Sequence, residues 1–475
     1  MATIIEQAPL YTTLPVGQDV MFSVSNNLIV SNQIKVKFIA EVHISSSLPP
    51  NTAVATDVIG TFKTTPNNAG VGMFDFRPII ESYVKTDNLS ARGSEYKVVG
   101  ASTYPLHIID KFSLNNNIIK YLTIQFRVQY LDQDPASSTY NELIQVQAEN
   151  SDSYKIFNGY LKYNDVLDIG TNVTANDFGY NISSFDMIGA GTDFLTNAPT
   201  TQYANVDDYG VLPILASQGN TLLGDFRGIK FTYYNSSGVE IGSSDQIDRT
   251  VANGAYFKYN AMIENEVLYI GAFPGNLRNW HSEFRTLVDA GNTPAYYTVI
   301  GLWNDGSEVG ESNTYTIYVN CPTLKGYEPI RLAWLNQWGA WDYYTFTMKS
   351  SRMLSTKGST YNQLEGTWNE ETYRIDGFKG GKKAFRVNAT EKITMNTDFV
   401  NESESVWFEE LINSPEVYML KGYENIVETT SALNQYIIPV RLTTSSYTRK
   451  TVANDKLMQY TFEVEKSKTL RTQSV

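Results

Sequence analysis

Apolar and polar side chains alternate in two early runs, MFSVSN (Met21 to Asn26) and KVKFIAEVHI (Lys35 to Ile44). Period two is the pattern of a strand with one buried face. Between them NNLIVSNQ supplies Asn and Ser, and a turn is expected there. The same alternation returns in YLTIQFRVQYLD (Tyr121 to Asp132) and NELIQVQAEN (Asn141 to Asn150), separated by the turn-rich DQDPASST. Residues 1–164 therefore read as an N-terminal β-sandwich domain. One helix interrupts it: Pro78 suits a first helical turn, and Ile79, Ile80, Tyr83 and Val84 follow at helical spacing, predicting a helix over 78–85.

Residues 165–225 change character. The segment is rich in Asn, Gly, Thr and Asp with weak periodicity, and it reads as a long irregular arm. Phe178, Tyr180, Phe185, Phe194 and Tyr203 argue against full disorder, and each is a candidate anchor on a neighbouring subunit. Strands return in 226–325, where a turn at Asn235 to Gly238 and the Asp305-Gly306 pair each predict a hairpin. Within this central β domain, Leu277, Trp280, Phe284 and Leu287 or Val288 predict one amphipathic helix, stopped by Gly291. Thr314 to Pro322 reads as its last strand.

The C-terminal β domain, 326–475, opens with RLAWLNQWGAWDYYTF. Two strands are expected around NQWGA, with Gly339 free to take a positive φ. Near 402–412 Asn401 and Glu404 form a capping pair, Trp407/Leu411 and Phe408/Ile412 stand at i,i+4, and Pro415 follows: a short buried helix. QYIIPVRLTTSSYTRK and KLMQYTFEVEK read as closing strands, with Pro439 placed at an edge or a bulge. The fold class expected is thus mainly β, several antiparallel β-sandwich-like domains with a few short packed helices.

Composition sharpens this picture. Aromatic residues are 13% of the chain, with 32 Tyr and 22 Phe, whereas charged residues are only 18% against a usual figure of about 25%. Strand formers dominate. The formal net charge of -13 would repel a phosphate backbone, so no nucleic-acid binding is expected. There is no apolar run of 18 or more, hence no membrane-spanning helix is expected. The start, MATIIEQAPLYTTLPVGQD, has neither a basic region nor a continuous apolar one, and no export signal is expected from it. Cys321 is the only cysteine, which leaves no internal disulfide and reads as a small buried hydrophobe.

Candidate chemistry is sparse. His43, His107 and His281 show no metal-ligand or triad spacing, and phosphate-loop, dinucleotide and nucleophile-elbow motifs are absent. KGGKK (Lys379 to Lys383) reads as a Gly-Gly turn with solvated lysines. Glu264/Glu266, Glu370/Glu371 and Glu409/Glu410 are the visible carboxylate pairs, of the type glycosidases use, and chance supplies such pairs among 50 acidic residues. Glu409 and Glu410 are expected on the exposed face of the Trp407 helix. No catalytic residue, cofactor or metal is expected. The aromatic cluster is the sharpest candidate: Trp338 and Trp341 could stack on a sugar while Asp342 bonds its hydroxyls, or the rings could fill a core or a subunit interface. Trp334, Tyr344 and Phe346 fall where a hairpin faces a core, and the core reading is preferred.

The segments VGMFDFRPIIESYV, LYIGAFPGNL, RLAWLNQWGAWDYYTF and IPVRLTTSSYTRKTVANDKLMQYTFEVEKS, spread over most of the chain, resemble tail-region structural proteins of tailed bacteriophages that infect Bacteroidetes, the crAss-like group included. The resemblance implies a multi-copy, non-enzymatic virion component built from β-sandwich modules, with no catalytic residues to transfer. A tail hub, ring or adaptor joining tail tube and fibres is expected, assembled in the host cytoplasm and released in the virion by lysis. Its partners would be itself as an oligomer and other tail proteins of tube, ring and fibre. The alternatives are a head decoration or fibre-attachment protein, a carbohydrate-binding receptor-recognition protein, and a polysaccharide-degrading enzyme.

Overall fold

A computed structural model describes residues 3–46, 49, 57–86, 88–89, 105–109, 112–115, 117–146, 148–162, 183–185, 192–216, 225–248, 266–304, 309–320, 326–422, 436–446, 448, 458–468 and 470–471. The fold is mainly β, in antiparallel and mixed sheets with few short helices. Two compact units emerge where the sequence suggested four segments. The first comprises Met1–Gln202, Tyr209–Val319 and Asn336–Asp342; the second comprises Tyr203–Asp208, Asn320–Leu335 and Tyr343–Val475.

In the first unit, a three-stranded sheet (Ile4–Gln7, Met21–Ser25, Val71–Asp75) faces a seven-stranded one built on Ile34–Ser45 and Ile119–Leu131. These two long strands pair antiparallel from Ile34↔Leu131 to Ser45↔Tyr121. The alternating apolar residues of both sheets meet between them: Phe22 and Phe74 each lie within 6 Å of Phe126, and Tyr154 stands edge-on to Phe22. This is the sandwich core that the alternation predicts, and Ile80 closes it. The helix carrying Ile80 is shorter than expected, Arg77–Ile80. NNLIVSNQ is a helix, Asn27–Asn32, rather than a turn, because the Asn26 side chain accepts the Ile29 N–H at 3.2 Å and caps it.

The unit also includes the stretch expected as a separate central domain, and strand pairing shows why. Phe112–Asn115 pairs with Glu266–Gly271, which in turn pairs with Val211–Ala216, so one sheet draws on three distant parts of the chain. A six-stranded sheet adds Asp225–Tyr234, Tyr296–Asn304 and Tyr315–Asn320. The turn at 235–238 forms as expected, with Gly238 at φ 76. Asp305 and Gly306 lie outside the described residues, but their flanking strands pair antiparallel, Leu302 opposite Glu311.

The expected amphipathic helix is two, Pro274–Trp280 and Ser282–Asp289. His281 breaks it in an extended conformation, with its ring buried edge-on to Phe231 at 4.8 Å. Gly291 ends the second helix at φ 77 and donates to the Val288 carbonyl.

The second unit is one eight-stranded sheet in the order 341–346, 330–335, 417–420, 437–442, 461–466, 381–396, 351–363, with 470–471 on the 381–396 strand. Helix Glu402–Asn413 packs on it through Trp407, Phe408 and Leu411, and its capping box is complete: Asn401 accepts the Glu404 N–H while Glu404 accepts the Asn401 N–H. Glu410 is fully buried and Glu409 half-buried, correcting the exposed face expected for both; the packed face is wider than one apolar stripe. Pro439 lies on an inner strand, not an edge. Its carbonyl accepts Ser467 N–H just past the end of the neighbouring strand, so the missing N–H falls where pairing has stopped.

Candidate functional site

The aromatic hairpin is a piece of the fold. Its strands, Ile330–Leu335 and Trp341–Phe346, flank a tight turn in which Gly339 adopts φ 72. Asn336 organises that turn: its Oδ1 accepts from the Trp338 and Ala340 N–H groups, and its Nδ2 donates to the Leu195 carbonyl and to Asp342 Oδ1. Thr196 Oγ1 donates to the same Asp342 oxygen at 2.6 Å. Trp338 is 2% exposed, donates its indole N–H to Asn197 Oδ1 at 3.1 Å and packs on Phe185. Trp341 is fully buried, with the His107 ring against it at 4.7 Å. Neither ring offers a face to a sugar, and the Asp342 carboxylate is committed to interior hydrogen bonds; the glycan alternative is corrected on this ground. The core reading of the rings is the one the burial supports.

Within the second unit the hairpin strands carry a buried ion pair that sequence reading missed. Arg331, 3% exposed, lies 3.6 Å from Asp208 and donates to Thr345 Oγ1, which donates to Asp208 Oδ2 at 2.6 Å. The Arg331 guanidinium also stacks over Tyr343, and the Asn205 N–H donates to Asp208. A charge that deep persists only when paired and hydrogen-bonded.

The proposed anchors of the 165–225 arm divide. Phe178 and Tyr180 lie outside the described residues. Phe194 is fully buried, edge-on to Tyr315 at 4.6 Å, and so is not free to hold a neighbouring subunit. Phe185 is buried as well, while Tyr203 is exposed. The arm's described part is also more regular than expected, with strands Thr201–Asn205 and Val211–Ala216. Val211 to Leu215 are all buried, which removes the alternation that would have marked a strand.

The three histidines are each used in packing or pairing: His43 beside Glu41 at 3.0 Å, His107 on Trp341 and His281 on Phe231. Among the described residues, no three of His, Cys, Asp and Glu converge as metal ligands would. No helix of the described residues is long and apolar enough to cross a membrane. Of the carboxylate pairs, Glu264 lies outside the described residues, and Glu370 is paired with Arg374 at 2.7 Å.

What stands exposed is a ribbon that sequence reading passed over. Ser351–Gln363 and Gly381–Asn396 pair antiparallel from Ser351↔Thr394 to Gln363↔Gly381. The returning strand meets the rest of the sheet only from Asn388 onward, so among the described residues 358–363 and 381–387 pair only with each other. At about 3.4 Å per residue the six paired positions of the free ribbon extend about 20 Å. A two-stranded ribbon alone is marginal in water, and this one is held at its base by charge. Arg352 bridges Glu328 and Glu391, Lys466 bonds Glu391 at 2.6 Å, and Lys392 bonds Glu463 at 2.9 Å. Glu391 sits below the usual carboxylate range because of Lys466 first and Arg352 second; Glu463 is lowered by Lys392 and by the Thr443 hydroxyl.

The tip, 364–380, is ordered. The Thr367 hydroxyl donates to the Thr372 carbonyl and accepts the Arg374 N–H, and the turn is Asp376 to Lys379, closed by the Lys379 N–H on the Asp376 carbonyl. The last three residues of KGGKK are strand, correcting the Gly-Gly turn expected there, and Gly380 and Gly381 take positive φ where the chain re-enters the ribbon. That ordered tip displays Trp368, Ile375 and Phe378 at 66–76% exposure, with Leu364 and Tyr373 beside them. Of these, Trp368 and Tyr373 are in ring contact at 5.8 Å, and large apolar side chains exposed on one projection make it a candidate interaction surface. Sequence comparison adds no family to this picture: no protein-family model and no curated protein matches the chain.

Proposed function

We propose that the protein is a non-enzymatic structural component of a bacteriophage virion, a tail hub, ring or adaptor that joins the tail tube to fibres or to neighbouring rings. The ordered, exposed ribbon with its apolar tip is the observation that carries this reading, since such a surface is suited to being covered in an assembly. The Trp-rich hairpin supports it from the other side. Its rings and Asp342 are spent inside the fold, His107 and His281 are spent in packing, and His43 lies beside Glu41. The resemblance of four segments to phage tail-region proteins supplies the setting, and its expected partners are further copies and the tube, ring and fibre proteins.

The test is quantitative peptide mass spectrometry on gradient-purified virions of the source phage, with heads and tails then separated. The reading expects the chain at several copies per particle in the tail fraction. Its recovery with heads would favour a decoration protein, and virions without it would end the proposal.

A further inference from the structure

The ribbon differs in charge from the protein that carries it. Residues 351–396 contain eight Lys and Arg against five Asp and Glu, a net charge of +3 within a chain of net -13, which leaves -16 for the remainder. The register places Lys357, Lys383 and Arg386 on one face with Tyr361, because residues opposite each other in an antiparallel pair share a face. Phe385 is the extra residue at the bulge between Ser359 and Thr360; its ring stands edge-on to Tyr361 and is 58% exposed.

One surface of the first unit has the complementary character. From Val128 to Tyr154 there are five acidic residues and no Lys or Arg. Asp134, Glu142, Glu149 and Asp152 are exposed there, with the apolar rim of Tyr140 and Leu143. The loop is built, not loose. The Thr139 hydroxyl and the Asp134 N–H both donate to Asp132, and Asn141 and Glu142 complete the turn through hydrogen bonds to Asp132 and Thr139 carbonyls.

We infer that the ribbon is an intersubunit arm whose basic, aromatic face docks on the acidic 132–152 surface of a second copy of this chain, with the tip residues Trp368, Ile375 and Phe378 covered in the contact. Two further points favour a second copy as the occupant. Copies of net charge -13 repel one another in general, and the ribbon is where that repulsion changes sign. Ser351–Gln363 is also an edge strand, exposed over most of its length and open to a neighbour. The free ribbon and its tip amount to about 30 residues, comparable with one side of a standard protein interface. A ribbon-on-body contact is head-to-tail, the kind that closes into rings or continues as a filament. The inference rests on the reading of the protein as an assembling component.

The experiment mixes isotopically light and heavy full-length protein and treats it with a zero-length carboxylate–amine cross-linker. Cross-linked peptides are then identified, with sedimentation velocity run alongside at low and high salt. Expected are mixed-isotope links from Lys357 or Lys383, the lysines of that face, to carboxylates between 132 and 152, and an oligomer that weakens with salt. The charge-reversal variant Lys357→Glu/Lys383→Glu/Arg386→Glu should weaken association about tenfold or more. The tip variant Ile375→Ser/Phe378→Ser should weaken it about thirtyfold. Because Lys357, Arg386, Ile375 and Phe378 are exposed and Lys383 is half-buried at the edge of the tip, both variants should keep the wild-type melting profile, which separates lost docking from lost folding.

A monomer at tens of micromolar in low salt, links within single chains only, or an oligomer indifferent to both variants would each overturn the inference. Binding of the ribbon to nucleic acid or to another virion protein in place of a second copy would also overturn it. None of these outcomes touches the virion assignment, which the mass spectrometry of separated heads and tails decides by itself.

Discussion

Gly339→Ala tests whether the Asn336–Asp342 segment is locked into the first unit by close backbone approach. Gly339 sits at φ 72, and a Cβ built there would lie 1.6 Å from the Asn158 carbonyl oxygen. The left-handed conformation costs an alanine about 1–2 kcal/mol, partly offset by its smaller unfolded-state entropy. The clash adds to this. The obstacle is backbone, so no rotamer change relieves it, and separation to ordinary contact needs a shift of about 2 Å. Such a shift strains the hydrogen bond from the Thr86 hydroxyl to the Gly339 carbonyl and that from the Asn336 N–H to the Ala340 carbonyl. Each is worth about 1 kcal/mol net. The total is about 3 kcal/mol. Gly291→Ala is the control, because Gly291 has the same left-handed backbone, φ 77, and nothing within 4 Å of its Cβ position; its cost should stay near 1 kcal/mol. Urea denaturation, with hydrogen exchange over peptides covering 336–342, measures both. Equal costs for the two variants would refute the close-approach argument.

Other expectations follow from the same geometry. Asp208→Ala leaves Arg331 buried without its carboxylate and should destabilise by about 3–5 kcal/mol, read by denaturant unfolding, whereas Thr345→Val should cost less. Asn401→Ala removes the cap of the Glu402–Asn413 helix and should cost about 1 kcal/mol by the same measurement. Acidification should loosen the ribbon base. Glu391 and Glu463 are lowered from 4.5 by their lysine partners, so their stabilisation is complete above that value and is lost as pH falls through the depressed folded-state values. Hydrogen exchange of 388–396 at pH 6 and pH 3 should show protection falling at the lower pH, and Glu391→Gln should flatten that dependence.

The legible parts of the sequence were those where local pattern and tertiary demand agree. Ile34–Ser45 and Ile119–Leu131 alternate because one face is core, and Asn401 with Glu404 announces a helix start by satisfying backbone donors locally. Pairing between distant segments left no local mark. Nothing in Phe112–Asn115 announces a partner at Glu266–Gly271, and this pairing merges the expected N-terminal and central domains. Strands buried on both faces, such as Val211 to Leu215, carry no alternation, and such a stretch has no period to separate it from irregular chain. The ribbon failed the opposite way: RMLSTKGSTYNQ is exposed on both faces, so no apolar period singled it out. Its one signal was KGGKK, whose two glycines take φ 97 and 75 where the tip rejoins the strand. The rings of RLAWLNQWGAWDYYTF were conspicuous as composition, but composition alone does not separate a platform from a core. Asn336, Asn197 and Thr196 decide it, by satisfying the polar atoms of Trp338 and Asp342 inside the fold.

A cryo-electron microscopy reconstruction of the tail in purified virions tests the central claim most directly. The account predicts a closed set of copies in the tail, each with Trp338 and Trp341 inside its own fold and the 351–396 ribbon covered at a subunit contact. A tail reconstruction with no density for this chain, or one in which the ribbon stands free in solvent, would contradict it.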